Sequence, residues 1–317
     1  MSTNDTTISG PHGSRLMPWL QLFRISAAPS AISNILVGFL LMHGNWDPLP
    51  SLLLLVAASF SLYSAGMVSN DIADISLDRE HQRGRPIADG RIGIGSARCV
   101  CLGLFLLGGL CGAVVGSRSL LIVLLLIITI LLYNGPLKRT WAGPIAMGLC
   151  RTLNVMLGAS LLKGDVTSDS LWLSWPTSVW WVAVSLGILI SGLTYFARNE
   201  VRPHSRSPLI AGAAIILLGL AGLATTGWTV TEPGNLHRIF PFLILLLSAP
   251  VAIRFILAIR ACQPQQVQFA VISLLKSLIL YDASICLLVG QPNFYYALFV
   301  LSLLLPSLLL GKWISST

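Results

Sequence analysis

Residues 50–69 read PSLLLLVAASFSLYSAGMVS, and residues 70–78 continue NDIADISLD. The first stretch carries no charge and has the ~20-residue length at which an α-helix crosses about 30 Å of hydrocarbon. The second carries three carboxylates, Asp71, Asp74 and Asp78. A membrane span thus runs straight into an acidic cluster.

The rest of the chain agrees. Its 317 residues are 55% hydrophobic and 10% charged, with a mean hydropathy of +0.80. Such a composition excludes a water-soluble core, a disordered chain, a coiled coil and a disulfide-built module. The six cysteines, Cys99, Cys101, Cys111, Cys150, Cys262 and Cys286, show no paired spacing and read as small core residues. Apolar runs fall near 22–43, 50–69, 98–116, 119–134, 141–162, 178–197, 208–228, 238–258, 267–289 and 293–312. They predict an all-α polytopic membrane protein, a bundle of nine or ten transmembrane helices. The shortness of the fourth run and the polarity of the ninth leave both counts open. Residues 1–17 contain no apolar stretch and are expected to form a flexible cytoplasmic tail with no signal peptide, ahead of a single domain over 18–317.

The net charge of +8 comes from 20 Lys+Arg against 12 Asp+Glu. In a membrane protein this excess belongs in cytoplasmic loops facing anionic lipid, which argues against nucleic acid as a partner. Fifteen basic residues, Arg24, Arg85, Lys138 and Arg198 among them, fall on one predicted side; the other side has Arg118, Lys163 and Arg238. The amino terminus is therefore expected inside.

Asp71, Asp74, Asp78, Glu80 and Asp89 put five of the twelve acidic residues within nineteen positions. On a continuous helix Asp74 and Asp78 lie within about 60° of Asp71. Magnesium binds through one or two carboxylates while keeping waters and substrate phosphates in its shell, and Arg79, Arg83, Arg85 and Arg91 could partner a phosphate-bearing ligand. The alternative is a solvated helix end carrying both signs of charge. A loop of about 28 residues favours function, since loops longer than ~12–15 residues usually serve one.

Asn70-Asp71-x-x-Asp74-x-x-x-Asp78, followed by Arg83-x-Arg85-Pro86-Ile87 and Gly90-Arg91-Ile92, strongly resembles the first signature of the UbiA superfamily of intramembrane prenyltransferases. Tyr133-Asn134-Gly135-Pro136-Leu137-Lys138 is similar to the family's YxxxxK-type segment. The likeness covers roughly residues 18–312, nearest an EboC-like bacterial branch, and implies an inner-membrane protein. It further implies a central cavity open to the cytoplasmic side, Mg²⁺ as cofactor, a polyprenyl diphosphate as donor and an aromatic or other lipophilic acceptor, all among membrane lipids. Carried over by position, Asn70, Asp71, Asp74 and Asp78 would hold the metal and Arg83, Arg85 and Lys138 the diphosphate. Tyr133 would face the reacting carbon, and Asp71, Asp74, Tyr133 and Lys138 would be the catalytic set.

The family's second acidic signature, DxxxD, is replaced by Thr194-Tyr195-Phe196-Ala197-Arg198-Asn199-Glu200. Glu200 is the sole acidic residue between Asp169 and Glu232, so a second metal position has at most one carboxylate. Either Arg198 and Arg202 clamp the diphosphate in place of one ion, or the protein has lost catalysis and acts as a lipid or metabolite binder or carrier. Positive-inside anchoring alone would also put arginines there. The aspartate order of the CDP-alcohol phosphotransferases is absent.

Strongly polar residues within spans are functional candidates by default. Asn34, Arg151, Asn154 and Tyr195 are expected to line the acceptor cavity. Arg151 either binds an anionic acceptor or cements helices through carbonyls. Lys276 and Asp282 are six positions apart and do not face each other, so the partners of Asp282 are expected on other helices. Pro29, Pro144, Pro250 and Pro306 predict local kinks.

Overall fold

The computed structural model describes residues 16–80, 84–162, 175–198, 206–230, 236–289 and 294–313. The expected tail, apart from Leu16 and Met17, lies outside these residues, as do Arg83, Glu200 and Arg202. Every regular element among the described residues is helical. In chain order they are α1 (Met17–Leu22), α2 (Pro29–His43), α3 (Leu49–Ala73), α4 (Ile75–Glu80), α5 (Ile94–Val115) and α6 (Ser117–Leu132). A π-type turn (Tyr133–Leu137) follows, then α7 (Gly143–Gly158), α8 (Thr177–Ala197), α9 (Arg206–Ala224) and a 3-10 turn (Thr225–Thr229). The chain closes with α10 (Leu236–Ala261), α11 (Pro264–Val289), α12 (Tyr295–Ser302) and α13 (Leu304–Trp313).

Among the described residues, seven helices are long and apolar enough to cross a membrane. The run expected to be short reaches 21 residues once its terminal turn is included, and the polar ninth run is a 26-residue helix. Two boundaries differ from expectation. The helix of the first apolar run starts at Pro29, not near 22, because Arg24 takes a left-handed backbone (φ 46°) and Pro29 supplies a preset first helical position. The last run divides at Leu303. Pro306 has no N–H to return to the Ser302 carbonyl, so the helix restarts instead of continuing.

Burial sorts the helices into layers. The most apolar windows of α3, α8 and α11 are 56–61% buried, whereas those of α5 and α10 are 22% and 28%. The latter leave Leu106, Leu110, Leu245 and Leu246 exposed, as expected where the surrounding solvent is hydrocarbon. The inner helices meet closely. A Cβ on Gly38 of α2 would stand 2.1 Å from the Val155 carbonyl oxygen of α7, and one on Gly158 of α7 would stand 2.4 Å from that of Ile35. Only glycine allows this backbone contact, and it sets α2 beside the polar face of α7.

Candidate functional site

Three segments converge on the end of α3. The first is the loop after α4, which folds back because Ile87 and Ile92 are buried in a small core with Leu22, Ala65 and Val68. Arg91 fastens it, donating to Gln21 Oε1 at 2.7 Å and to the Gly84 carbonyl at 2.7 Å. The fold-back delivers Arg85 Nη1 to Asp71 Oδ1 at 2.7 Å. The second is the corner between α1 and α2. There Tyr63 donates its hydroxyl to the Arg24 carbonyl at 3.2 Å, and Arg24 Nη2 reaches the same Asp71 oxygen at 3.2 Å.

The third is the turn after α6. Gly135 leaves helical geometry (φ −94°, ψ −107°), and Asn134 Nδ2 donates to the Gly66 carbonyl of α3 at 3.1 Å. Lys138 is thereby brought to Asn70 Oδ1 at 2.7 Å and into an ion pair with Asp74. Two carboxylates and an amide of α3 are met by three cations from three different segments.

The acidic run does not form one continuous helix face. Helix α3 ends at Ala73, and Asp74 caps it with φ −96° and ψ 5° before α4 begins. The solvated-end alternative is removed by burial: Asp71 and Asp78 are only 1% and 2% exposed. Among the described residues, no three His, Cys, Asp or Glu side chains stand close enough together to form a metal-holding group by themselves.

Tyr133 lies within electrostatic reach of Asp74, Arg198 and Arg24. Arg198 closes the cluster from α8, but its Nη2 donates to the backbone carbonyls of Lys138, at 2.8 Å, and Thr140. As placed, it braces the turn that carries Lys138.

A second polar cluster lies deep in the bundle. Arg151 is eight residues into α7. Its Nη1 donates to the Ser30 carbonyl at 2.8 Å and to Asn34 Oδ1, and its Nη2 makes a long contact of 3.4 Å with Ser30 Oγ. On the far side of Asn34, Nδ2 donates to Asp282 Oδ2 at 2.8 Å, and Ser33 donates to the same oxygen. The partners of Asp282 are thus on α2, and Lys276 points outward, exposed. Asn154 joins the same layer, accepting from Ser59 at 2.7 Å and donating to the Ala31 carbonyl at 2.8 Å. Tyr195 is half-buried near the end of α8. Asn34 and Asn154 are therefore interior connectors between helices.

Sequence reasoning singled out neither Arg24 nor Ser33. Arg24 was one basic residue among fifteen, and its partner is 47 positions away.

The profile of the UbiA prenyltransferase family matches residues 31–275. Digeranylgeranylglyceryl phosphate synthase of Saccharolobus solfataricus is 26% identical over 151 residues, 47% of this chain and 54% of that one. 4-Hydroxybenzoate octaprenyltransferase of Marinomonas sp. is 24% identical over 213 residues, 67% of each chain. The chain spans about half the length of the curated synthases it matches. Among solved structures, a digeranylgeranylglyceryl phosphate synthase superposes with a TM-score of 0.65 at 17% identity, over 87% of this chain and 99% of that one. A UbiA homolog from Archaeoglobus fulgidus bound to GPP and Mg²⁺ gives 0.60 at 16% identity, over 90% and 99%. At these identities the structural likeness is one of fold. The matched stretch covers most of the bundle and includes the aspartates of α3, the Lys138 turn and Arg151; this integral membrane protein belongs to the UbiA prenyltransferase family.

Proposed function

We propose that the protein is an intramembrane prenyltransferase that moves an isoprenyl group from a polyprenyl diphosphate to a lipophilic acceptor. The observation that carries this reading is the meeting of Asp71 and Asp74 with Arg24, Arg85 and Lys138 at one end of an apolar bundle. Buried like charges of this kind need partners of opposite sign, and here each partner is a flexible side chain that a diphosphate could take over.

Asn70, Asp71 and Asp74, joined by Asp78 and Glu200, would hold Mg²⁺. Two carboxylates suit an ion that draws its remaining ligands from water and phosphate oxygens. Bound Mg²⁺ would supply charge neutralisation for the diphosphate. Arg85, Lys138 and Arg83 bind the diphosphate oxygens, together with Arg198 and Arg202, and stabilise the charge that grows as the allylic C–O bond breaks. Tyr133 faces the allylic carbon. The acceptor donates an electron pair to that carbon, forms the new bond and gives up a proton, while the apolar walls keep water from the cation. Of the four polar residues expected at the acceptor cavity, Arg151 and Tyr195 border the acceptor, while Asn34 and Asn154 are buried and hold the helices around it.

The aspartate end is assigned to the cytoplasmic side of a bacterial inner membrane, in keeping with the Lys/Arg excess there. The whole of 18–317 acts as one domain.

The test uses purified protein in detergent with Mg²⁺ and radiolabelled geranyl, farnesyl or geranylgeranyl diphosphate, together with phenolic and lipid acceptors. A prenylated product that disappears in Asp71→Ala and Asp74→Ala supports the transferase. Diphosphate binding without any product supports a carrier instead.

A further inference from the structure

The deep cluster differs from a helix-cementing network in one respect. Among the described residues Arg151 makes no ion pair: its contacts are a carbonyl, an amide oxygen and a distant hydroxyl. Its Nε–H and the remaining Nη2–H have no partner among the described residues, and the side chain keeps partial exposure although it is deep within the helix bundle. The nearest network carboxylate, Asp282, is fully buried and stands one side chain away, behind Asn34. Its Oδ1 has no hydrogen-bond partner among the described residues. A guanidinium inside a membrane protein without a direct counter-ion is an expensive arrangement, and a network built only for packing would pair both charges.

Asn34 explains how the separation is kept. A carboxylate accepts only, so Asp282 requires the amide's NH₂ side; the Asn34 oxygen is then turned to Arg151, whose groups donate only. The amide orients the guanidinium without neutralising it.

We propose that Arg151, held by Ser30 and Asn34 with Asp282 kept one link away, is the binding site for a single anionic group, carboxylate or phosphate, carried by the acceptor. That the anion belongs to an acceptor rests on the transferase reading; that the site binds an anion does not.

The experiment measures binding to the full chain in detergent with two matched probe pairs. These are 4-hydroxybenzoate against 4-hydroxybenzamide, and hexadecylglycerol phosphate against hexadecylglycerol. The first pair detects a small aromatic carboxylate and the second a lipid phosphate. In at least one pair the charged member should bind tenfold or more tightly than the neutral one, and in Arg151→Gln that ratio should fall to near one. The exchange Asn34→Asp with Asp282→Asn keeps one carboxylate in the network but places it directly on the guanidinium. It should retain the thermal transition of the parent and lose the preference for charge, an outcome that a purely structural role for Arg151 does not give. Equal binding of charged and neutral probes in the parent protein, or a preference surviving Arg151→Gln or the exchange, overturns the proposal. Binding of Mg²⁺ with inorganic pyrophosphate, followed in parallel, reports the aspartate end. Its loss would count against the transferase reading and leave the anion site standing.

Discussion

At the end of α3 the cations touch their carboxylates: Arg24 and Arg85 share one oxygen of Asp71, and Lys138 pairs with Asp74. Deep between α2, α7 and α11 an amide separates Arg151 from Asp282. Both clusters set positive groups against negative ones in a nearly apolar chain, yet only the first neutralises them in place. Direct pairs are interchangeable, since a ligand carrying both a metal ion and phosphate oxygens can replace every contact it breaks. A relayed pair leaves one guanidinium edge unmatched and therefore selective.

The largest expected effect breaks the first cluster at its centre. Asp71→Asn removes the charge on which two arginines converge, and product formation should fall by about 10²–10³-fold, the scale of a lost transition-state contact; radiolabel transfer measures it. A second perturbation sharpens the pairing of Lys138 with Asp74. Lys138→Gln and Asp74→Asn should each slow transfer by ~10-fold or more, and the double variant should be far less damaged than the product of the two, because contacting residues do not act additively. Arg24→Gln should be milder, about tenfold in the same assay, since Arg85 stays on Asp71 and the longer Arg24 contact falls at the low end, ~1.5 kcal/mol, of a charged hydrogen bond. The smallest effects concern the helix frame, tight beside the second cluster and open on the outer helix α5. Gly38→Ala forces a Cβ against the Val155 carbonyl and should lower stability by ~1–3 kcal/mol. Gly103→Ala, with open space at its Cβ, should be neutral or stabilising by up to ~1 kcal/mol through helix propensity. Thermal unfolding in detergent separates the two.

The helical bundle was legible from apolar run lengths, because a span must satisfy its backbone internally and only a helix does so within one segment. Asn70, Asp71, Asp74 and Lys138 were legible as a motif, and the structure brings all four together. The broken helix at Asp74 was not, since a regular spacing of carboxylates carries no sign of where the backbone departs from it. The corner at Arg24 was hidden for a related reason. Residues 23–28 are mostly apolar, so composition ran the first span through them. The partners of Asp282 were expected on other helices, but identifying Ser33 and Asn34 required the packing of α11 against α2, which pairs residues nearly 250 positions apart.

Arg24 answers to two neighbours at once, its carbonyl to Tyr63 and its guanidinium to Asp71. A change at position 63 that released the carbonyl would also free the left-handed turn from which the guanidinium is aimed. In an evolving lineage, positions 24 and 63 should therefore drift together or stay fixed together, while Asp71 holds still beneath them.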